Sequence, residues 1–212
     1  MVAISRKERE RRQRRAEILD VAMGIFAKNG FHGTTMANIS QESQYPLGTI
    51  YKFFSGKKQI YYDLVVEKAF EIRVILIDIF NKTQWPPLER LRKCLTAYAR
   101  FYRGNTEFIK IYISERSNID AVVVPNLNEK INRLHEKMID QFSEIFTEGI
   151  ISKQFKPLPV REMAILFSDM IHSAAWNCLM KELSDEKMES LLDTVFEIFS
   201  GGVIKNSLIV HK

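Results

Sequence analysis

Residues 30–57 read GFHGTTMANISQESQYPLGTIYKFFSGK, and the punctuation of this stretch decides the fold. Thr34 offers an N-cap hydroxyl to a short helix from Thr35 to about Gln41, since a hydroxyl just ahead of an apolar-periodic run satisfies an amide that the first turn leaves open. Ser43, Gln44, Tyr45 and Pro46 then break the chain. Pro46 suits the first turn of another helix, where its missing N–H costs nothing. That helix runs to about Phe54, and Ser55-Gly56 closes it and caps the next.

Upstream, Ile18, Val21, Ala22, Ile25 and Phe26 fall at i, i+3, i+4, i+7 and i+8, the spacing of a helix with one buried face, and Asn29-Gly30 supplies a left-handed stop. Downstream, Ile60, Leu64, Val65, Ala69, Ile72, Ile75, Leu76 and Ile79 mark the inward side of a long fourth helix. Beyond Trp85-Pro86-Pro87 the helices lengthen, and the pattern predicts them near 87–103, 105–116, 125–152, 160–181 and 185–203. No alternating run of β-branched residues competes. The chain is expected to be all-α, with about nine helices. Its organisation is expected to be a basic disordered arm over 1–14, a three-helix domain over 15–60 and a larger helical domain over 61–212. The fourth helix crosses that boundary without a flexible linker.

The chain has 212 residues, 46% of them hydrophobic, enough for such a core and too many for a disordered protein. Its net charge is +5. Residues 6–15 hold seven basic side chains (Arg6, Lys7, Arg9, Arg11, Arg12, Arg14, Arg15) against Glu8 and Glu10, so this one segment carries the whole excess. A local basic block on a neutral body points to a polyanion at one end of the molecule. Cys94 and Cys178 are far apart and neither has metal-ligand spacing, so no disulfide framework or zinc site is expected, and a reducing cytoplasm is the default. The basic N-terminus lacks the apolar stretch of a secretory signal. Met163 to Met180 is the nearest approach to a membrane span. Asp169 and His172 fall in its middle, where a charge costs about 3 kcal/mol in lipid, so it reads as a buried helix of a soluble domain instead.

A short second helix, a tight break and a short third fit the helix-turn-helix plan, in which the third element enters the DNA major groove. The residues also resemble the TetR family of bacterial transcriptional regulators. The likeness runs through Ile18-Leu19-Asp20-Val21-Ala22, Phe26, Gly30-Phe31, Thr34-Thr35-Met36, Ile39, Gly48-Thr49-Ile50-Tyr51, Phe53-Phe54 and Lys57. It covers about the first 60 residues, and the remainder is similar to the family in length, helix count and patterning. The resemblance implies a homodimer that binds a pseudo-palindromic operator, most often as a repressor, with a helical domain that binds a small effector and dimerises.

Thr34 and Thr35 place hydroxyls and open amides at a helix N-terminus, a natural seat for a phosphate oxygen. Tyr51 joins an aromatic body to a hydroxyl within reach of the DNA backbone. Lys57 lies in the first turn of the fourth helix, where a cation opposes the dipole and a phosphate partner would explain it. With Ile50 and Phe54 buried, steps of about 100° per residue put Gly48 and Lys52 on the opposite face with Thr49 and Tyr51 beside them. In proteins that this one resembles, the position of Leu47 also faces bases, and an apolar tip suits a thymine methyl. Arg11, Arg12, Arg14 and Arg15 are the arm residues placed to follow phosphates or enter the minor groove. The chain departs from the family in the break itself, where Ser43-Gln44-Tyr45-Pro46 replaces a small residue and Gly. Either Gln44 takes a left-handed conformation, at a cost of about 1 kcal/mol, or the turn has another shape.

In the second domain, Tyr98, Phe101, Tyr102, Phe108 and Tyr112 form an aromatic-rich pair of helices, which Met138, Phe142, His172 and Trp176 approach from later ones. Core packing explains such residues as readily as a pocket does. With the family's effector domain in view they become the candidate lining, and Tyr98, Tyr102, Arg116, His172 and Asn177 its polar anchors. This favours a hydrophobic or amphipathic effector, such as an acyl chain or an aromatic compound, over a sugar. Phe167, Ile171, Ala174, Ala175 and Cys178, with Leu192, Val195, Phe196 and Phe199, are the residues expected to pair two subunits across a two-fold axis, internal packing being the alternative.

An enzyme is disfavoured because His32, His135, His172 and His211 form no metal-spaced cluster and no nucleophile or acid/base motif is recognisable. No cofactor is called for. The other alternative is a protein of this fold that acts through a protein partner in place of operator DNA.

Overall fold

The computed structural model describes residues 5–117, 127–181 and 184–204, without the side chains of 113–117, 128, 179–180 and 185. Among these residues there are nine helices: α1 Arg6–Gly33, α2 Met36–Ser43, α3 Leu47–Ile50, α4 Lys57–Phe80, α5 Pro87–Arg103, α6 Thr106–Ser117, α7 Leu127–Ile151, α8 Val160–Met180 and α9 Asp185–Val203. No sheet accompanies them, and the fold is all-α as the periodicity requires. No helix among the described residues is long and apolar enough to cross a membrane.

The chain divides into two compact units, residues 1–69 with 107–131 and residues 70–106 with 132–212. The division falls inside α4, beyond the 60/61 boundary expected from the sequence, and α6 lies almost wholly in the first unit. In that unit Ile18, Leu19, Ala22, Met23 and Phe26 of α1 are buried together with Ile39 of α2, Ile50 of α3, Phe54, and Ile60, Tyr61, Leu64 and Val65 of α4. Phe26 and Tyr61 meet edge to face at 4.9 Å.

The arm is helical from Arg6, which corrects the expected disordered extension for residues 6–14, residues 1–4 lying outside the described ones. Ser5 caps it by accepting the Glu8 amide, Glu8 sits favourably in the first turn, and Arg6–Glu10, Glu8–Arg12 and Gln13–Glu17 pair at i, i+4. Each exposed pair contributes only a few tenths of a kcal/mol. Arg, Glu and Gln are good helix formers, however, and extending a folded helix needs no new nucleus. Gly30 (φ 69°, ψ 173°) bends α1 near its end in a region essentially restricted to glycine, so the stop signal at Asn29-Gly30 is real although one more turn follows.

In the second unit α8 and α9 pack along their length and both meet α5. Phe142, Phe146, Phe167 and Phe199 interlock there, the closest rings being Phe167 and Phe199 at 4.9 Å. On α4, Ile72 and Leu76 point inward as expected, whereas Ile75 is exposed beside Phe70 and Val74.

Candidate functional site

The break between α2 and α3 is built from its own side chains. Gln44 is left-handed (φ 59°, ψ 17°), the first of the two shapes that the sequence left open. The Ser40 hydroxyl donates to the Tyr45 carbonyl at 2.7 Å, and the Tyr45 hydroxyl donates to Glu17 of α1 at 2.5 Å. This last bond holds the Glu17 carboxyl below its ordinary range and pushes the Tyr45 phenol up. Sequence reasoning missed it, since nothing in the pattern joins residues 17 and 45. Pro46 stands just ahead of α3 as its N-cap, and hydrogen-bonded turns carry the chain on to Phe54.

On α3 and the turns that follow it, Ile50 is fully buried and Phe54 nearly so, while Leu47 (40% exposed), Gly48, Tyr51 (53% exposed) and Lys52 face outward and Thr49 is half-buried. The helical wheel thus holds for Gly48, Tyr51 and Lys52. Leu47 turns outward, away from the buried edge where the wheel alone leaves it.

Three residues expected to touch phosphate have other work. Thr34 is completely buried and its hydroxyl donates to the Gly30 carbonyl at 2.8 Å. The N-cap is Thr35, whose hydroxyl accepts the Asn38 amide at 3.1 Å while the Asn38 side chain accepts the Thr35 N–H at 3.0 Å. That capping box leaves the Met36 and Ala37 amides as the first-turn donors with no intrahelical acceptor. Lys57 Nζ donates to the carbonyls of Phe31 (2.8 Å) and Thr34 (2.7 Å) and lies 4.4 Å from the Phe31 ring centroid. The dipole conflict that suggested a phosphate is resolved by the end of α1, where carbonyls welcome a cation. Arg15 pairs with Asp63 at 2.8 Å and Glu67 at 2.6 Å on α4 and covers Phe54, so it fastens the arm to the body, whereas Arg11, Arg12 and Arg14 are exposed.

The expected effector residues are divided between the two units. Phe108 and Tyr112, with centroids 5.5 Å apart, belong to the first unit, and the Arg116 side chain lies outside the described ones. In the second unit His172 lies against Tyr98 (5.8 Å), Tyr102 (6.2 Å) and His135 (6.1 Å) between ring centroids. The Tyr98 hydroxyl is 3.7 Å from Met138 sulfur. His172 Nδ1 is 2.6 Å from the Ser168 carbonyl, which only accepts, so Nδ1 carries the proton and a neutral ring leaves Nε2 as an acceptor. Phe101 and Phe142 are core residues, Phe142 wedged between Phe80 and Phe167. Trp176 is half-buried. Asn177 is exposed on α8, its amide donating to the Ser173 carbonyl, and lines a surface groove with Ser173, Ser190 and Thr194.

The residues expected at a dimer face show internal packing, their alternative reading. Phe167, Ile171, Ala174, Ala175, Cys178, Leu192, Val195, Phe196 and Phe199 are all buried within the single chain, where the small residues of α8 let α9 approach. Among the described residues the outward apolar side chains of these helices are Ile165, Leu166 (59% exposed) and Ile198 (65% exposed).

Comparison with known proteins gives the same picture. Residues 18–64 match the model described as "Bacterial regulatory proteins, tetR family" and residues 84–176 match "Tetracyclin repressor-like, C-terminal domain". The fatty acid metabolism regulator protein of Bacillus subtilis (strain 168) is 25% identical over 201 residues, covering 92% of this chain and 98% of its own. The crystal structure of the transcriptional regulator FadR from Bacillus subtilis, in complex with stearoyl-CoA, superposes with a TM-score of 0.72 at 24% identity over 88% of this chain and 98% of that one. AibR, in complex with isovaleryl coenzyme A and operator DNA, superposes with a TM-score of 0.70 at 18% identity over 87% and 97%. With both family models matched in order over most of its length, and a helix-turn-helix head ahead of a helical second domain, the chain belongs to the TetR family of bacterial transcriptional regulators.

Proposed function

We propose that the protein is a ligand-responsive repressor that binds a pseudo-palindromic operator as a homodimer and is released by an acyl thioester of coenzyme A. The observation that carries the DNA reading is the outward face of α3. Leu47, Gly48, Tyr51 and Lys52 stand in solvent on an element fixed from behind by Ile50 and Phe54. An apolar tip, a bare backbone, a phenol and a cation on one short helix suit a thymine methyl, close groove approach, a phosphate and a guanine in turn. Thr49 borders that face, and the Met36 and Ala37 amides with the Thr35 cap receive a phosphate at the start of α2. The arm acts as a helix in which Lys7, Arg11 and Arg14 share one stripe, while Arg12 lies on another face beside Glu8, and the stripe follows the flanking phosphates.

Two subunits would join through the outward sides of α8 and α9, Leu166 and Ile198 replacing the residues that the single chain already buries. Half-sites roughly 34 Å apart follow from such a pair. The effector class is supported by the acyl-CoA ligands named for two of the similar structures and by the second unit itself, where Tyr98, Tyr102, His135 and His172 set polar atoms among Met138 and other apolar side chains. Such a mixed lining fits the thioester end of an acyl chain better than it fits a sugar.

Selection from a random duplex library at near-physiological salt tests both halves. A two-fold-symmetric site should be enriched, and its complex should dissociate on adding palmitoyl-CoA or isovaleryl-CoA while coenzyme A alone leaves it intact. Enrichment without any acyl-CoA effect would remove the effector class. Weak, salt-sensitive binding with no enriched site would remove the operator reading and turn the search to a protein partner.

A further inference from the structure

Arg90 is almost wholly buried, yet it sits near the N-terminus of α5, where a cation opposes that helix's dipole. Its contacts explain the position from outside α5. Nη1 donates to the carbonyl of Phe80, the last residue of α4, at 3.2 Å, and Nη2 is paired with Glu148 of α7. The last turn of α4 has no basic residue of its own, so Arg90 is its cap and its counter-charge, supplied from another helix.

The arrangement is a poor device for stability. Nε of Arg90 is buried without a hydrogen-bond partner among the described residues. An ion pair with one buried partner must first repay that partner's desolvation, and the best-attested use of such pairs is to hold elements in one register. We propose that Arg90 and Glu148 are positioning residues that pin the C-terminal turn of α4 to α7, and that this pin sets how α4 is held for operator binding. All three groups lie in the second unit, and α4 is one continuous helix whose first half carries Ile60, Tyr61 and Leu64 of the head core. Glu148 is 44% exposed, so its end of the pin is open to rearrangement, and α7 also carries His135 and Met138 of the proposed effector cluster. Movement of α7 on ligand binding would thereby reach α4 through two side chains. This coupling rests on the operator reading given above, whereas the pin itself does not.

The test combines amide hydrogen exchange with binding to the selected duplex and to its isolated half-site. In Arg90→Met, which keeps the volume and removes the donors, amides 80–82 should exchange about tenfold faster. Affinity for the full two-fold site should fall about tenfold with half-site affinity unchanged. Glu148→Ala should do the same to a smaller degree, and Glu148→Gln, whose carboxamide oxygen still accepts from the guanidinium, should restore both readouts. Should Arg90→Met fail to fold, the two Glu148 variants carry the test alone. Unchanged exchange at 80–82 overturns the pin. Faster exchange with unchanged full-site affinity, or an equal loss at full site and half-site, overturns the coupling. If the unaltered protein selects no duplex, the operator reading and the coupling fall together, while the exchange result still decides the pin.

Discussion

In α3 and the turn that follows it, Ile50 is buried while Leu47, Gly48, Tyr51 and Lys52 face solvent; in α8, Phe167, Ile171, Ala174, Ala175 and Cys178 are buried and Leu166, Ser173 and Asn177 face out. Both segments are amphipathic, yet the residues expected to meet DNA fall on the outward side of the first and those expected at a dimer face on the inward side of the second. A helix of four residues can bury little, so its unusual residues are free to meet a partner. A helix of 21 residues that packs against both α9 and α5 spends its apolar stripe on its own chain.

The largest expected effect probes the α8 side of that contrast. Phe167→Ala should cost about 3–5 kcal/mol of folding stability, because it empties the junction of Phe142, Phe146 and Phe199. Its neighbour Leu166→Ala should leave the fold within about 0.5 kcal/mol and instead weaken association of the proposed dimer. Thermal denaturation and sedimentation on the same two variants decide. A stable monomer from Phe167→Ala would reverse the assignment of the two faces.

Within the head the contrast sharpens at Lys57. If its two carbonyl bonds are its main role, Lys57→Met should lose about 2 kcal/mol of stability, with DNA affinity falling only as far as folding does. A full-strength fold with lost DNA binding would return Lys57 to the phosphate contacts. Tyr51→Ala is the control: exposed, it should weaken binding to all duplexes alike and leave the melting temperature unchanged.

The head was legible from sequence because its signals are local: a proline, a hydroxyl cap and an Asn-Gly pair each fix the few residues around them. The same locality explains the errors. Thr34 and Thr35 are adjacent hydroxyls, and the choice of cap depends on Gly30, whose φ of 69° brings its carbonyl to Thr34 and takes that residue out of competition. Lys57 and Arg15 were read against their own helices, while their partners are 23 to 52 residues away. In the second unit nearly everything that matters is of this distant kind. Periodicity identified the apolar faces of α8 and α9 correctly, but it does not say whether another helix of the same chain or a second copy covers them.

The break tests how far local strain shapes the head. Gln44 occupies a left-handed conformation that glycine adopts without penalty, so Gln44→Gly should stabilise by up to about 1 kcal/mol, less the entropy that glycine adds to the unfolded chain. The melting temperature measures it, and a loss would show that the Gln44 side chain contributes something its backbone angle hides.

The smallest effect belongs to the Tyr45–Glu17 bond, which ties the same break to α1. Both groups are exposed, so Tyr45→Phe should change stability least of these variants, and its signature is in the pH dependence. The hydrogen bond lowers the Glu17 carboxyl below its usual value near 4.5 and raises the Tyr45 phenol above its usual value near 10. A depressed carboxyl stabilises the fold above its unfolded pKa and loses that contribution as pH falls through the folded one. A raised phenol stabilises below its unfolded pKa and loses its contribution as pH rises through the folded value. The two windows leave a plateau between about pH 5 and 9 in which the bond is intact. Tyr45→Phe should therefore lower stability evenly across the plateau, with the difference shrinking below pH 4 and above pH 10, and side-chain NMR should find the Glu17 carboxyl shifted up towards its ordinary range, with the Gln13 bond and Arg14 still holding it somewhat low. Because the bond holds the residue next to Pro46 against α1, the same variant should also loosen the entry to α3. A Glu17 titration unmoved by Tyr45→Phe would separate the break from α1 and leave Gln44 and Ser40 as the residues that set the direction in which α3 begins.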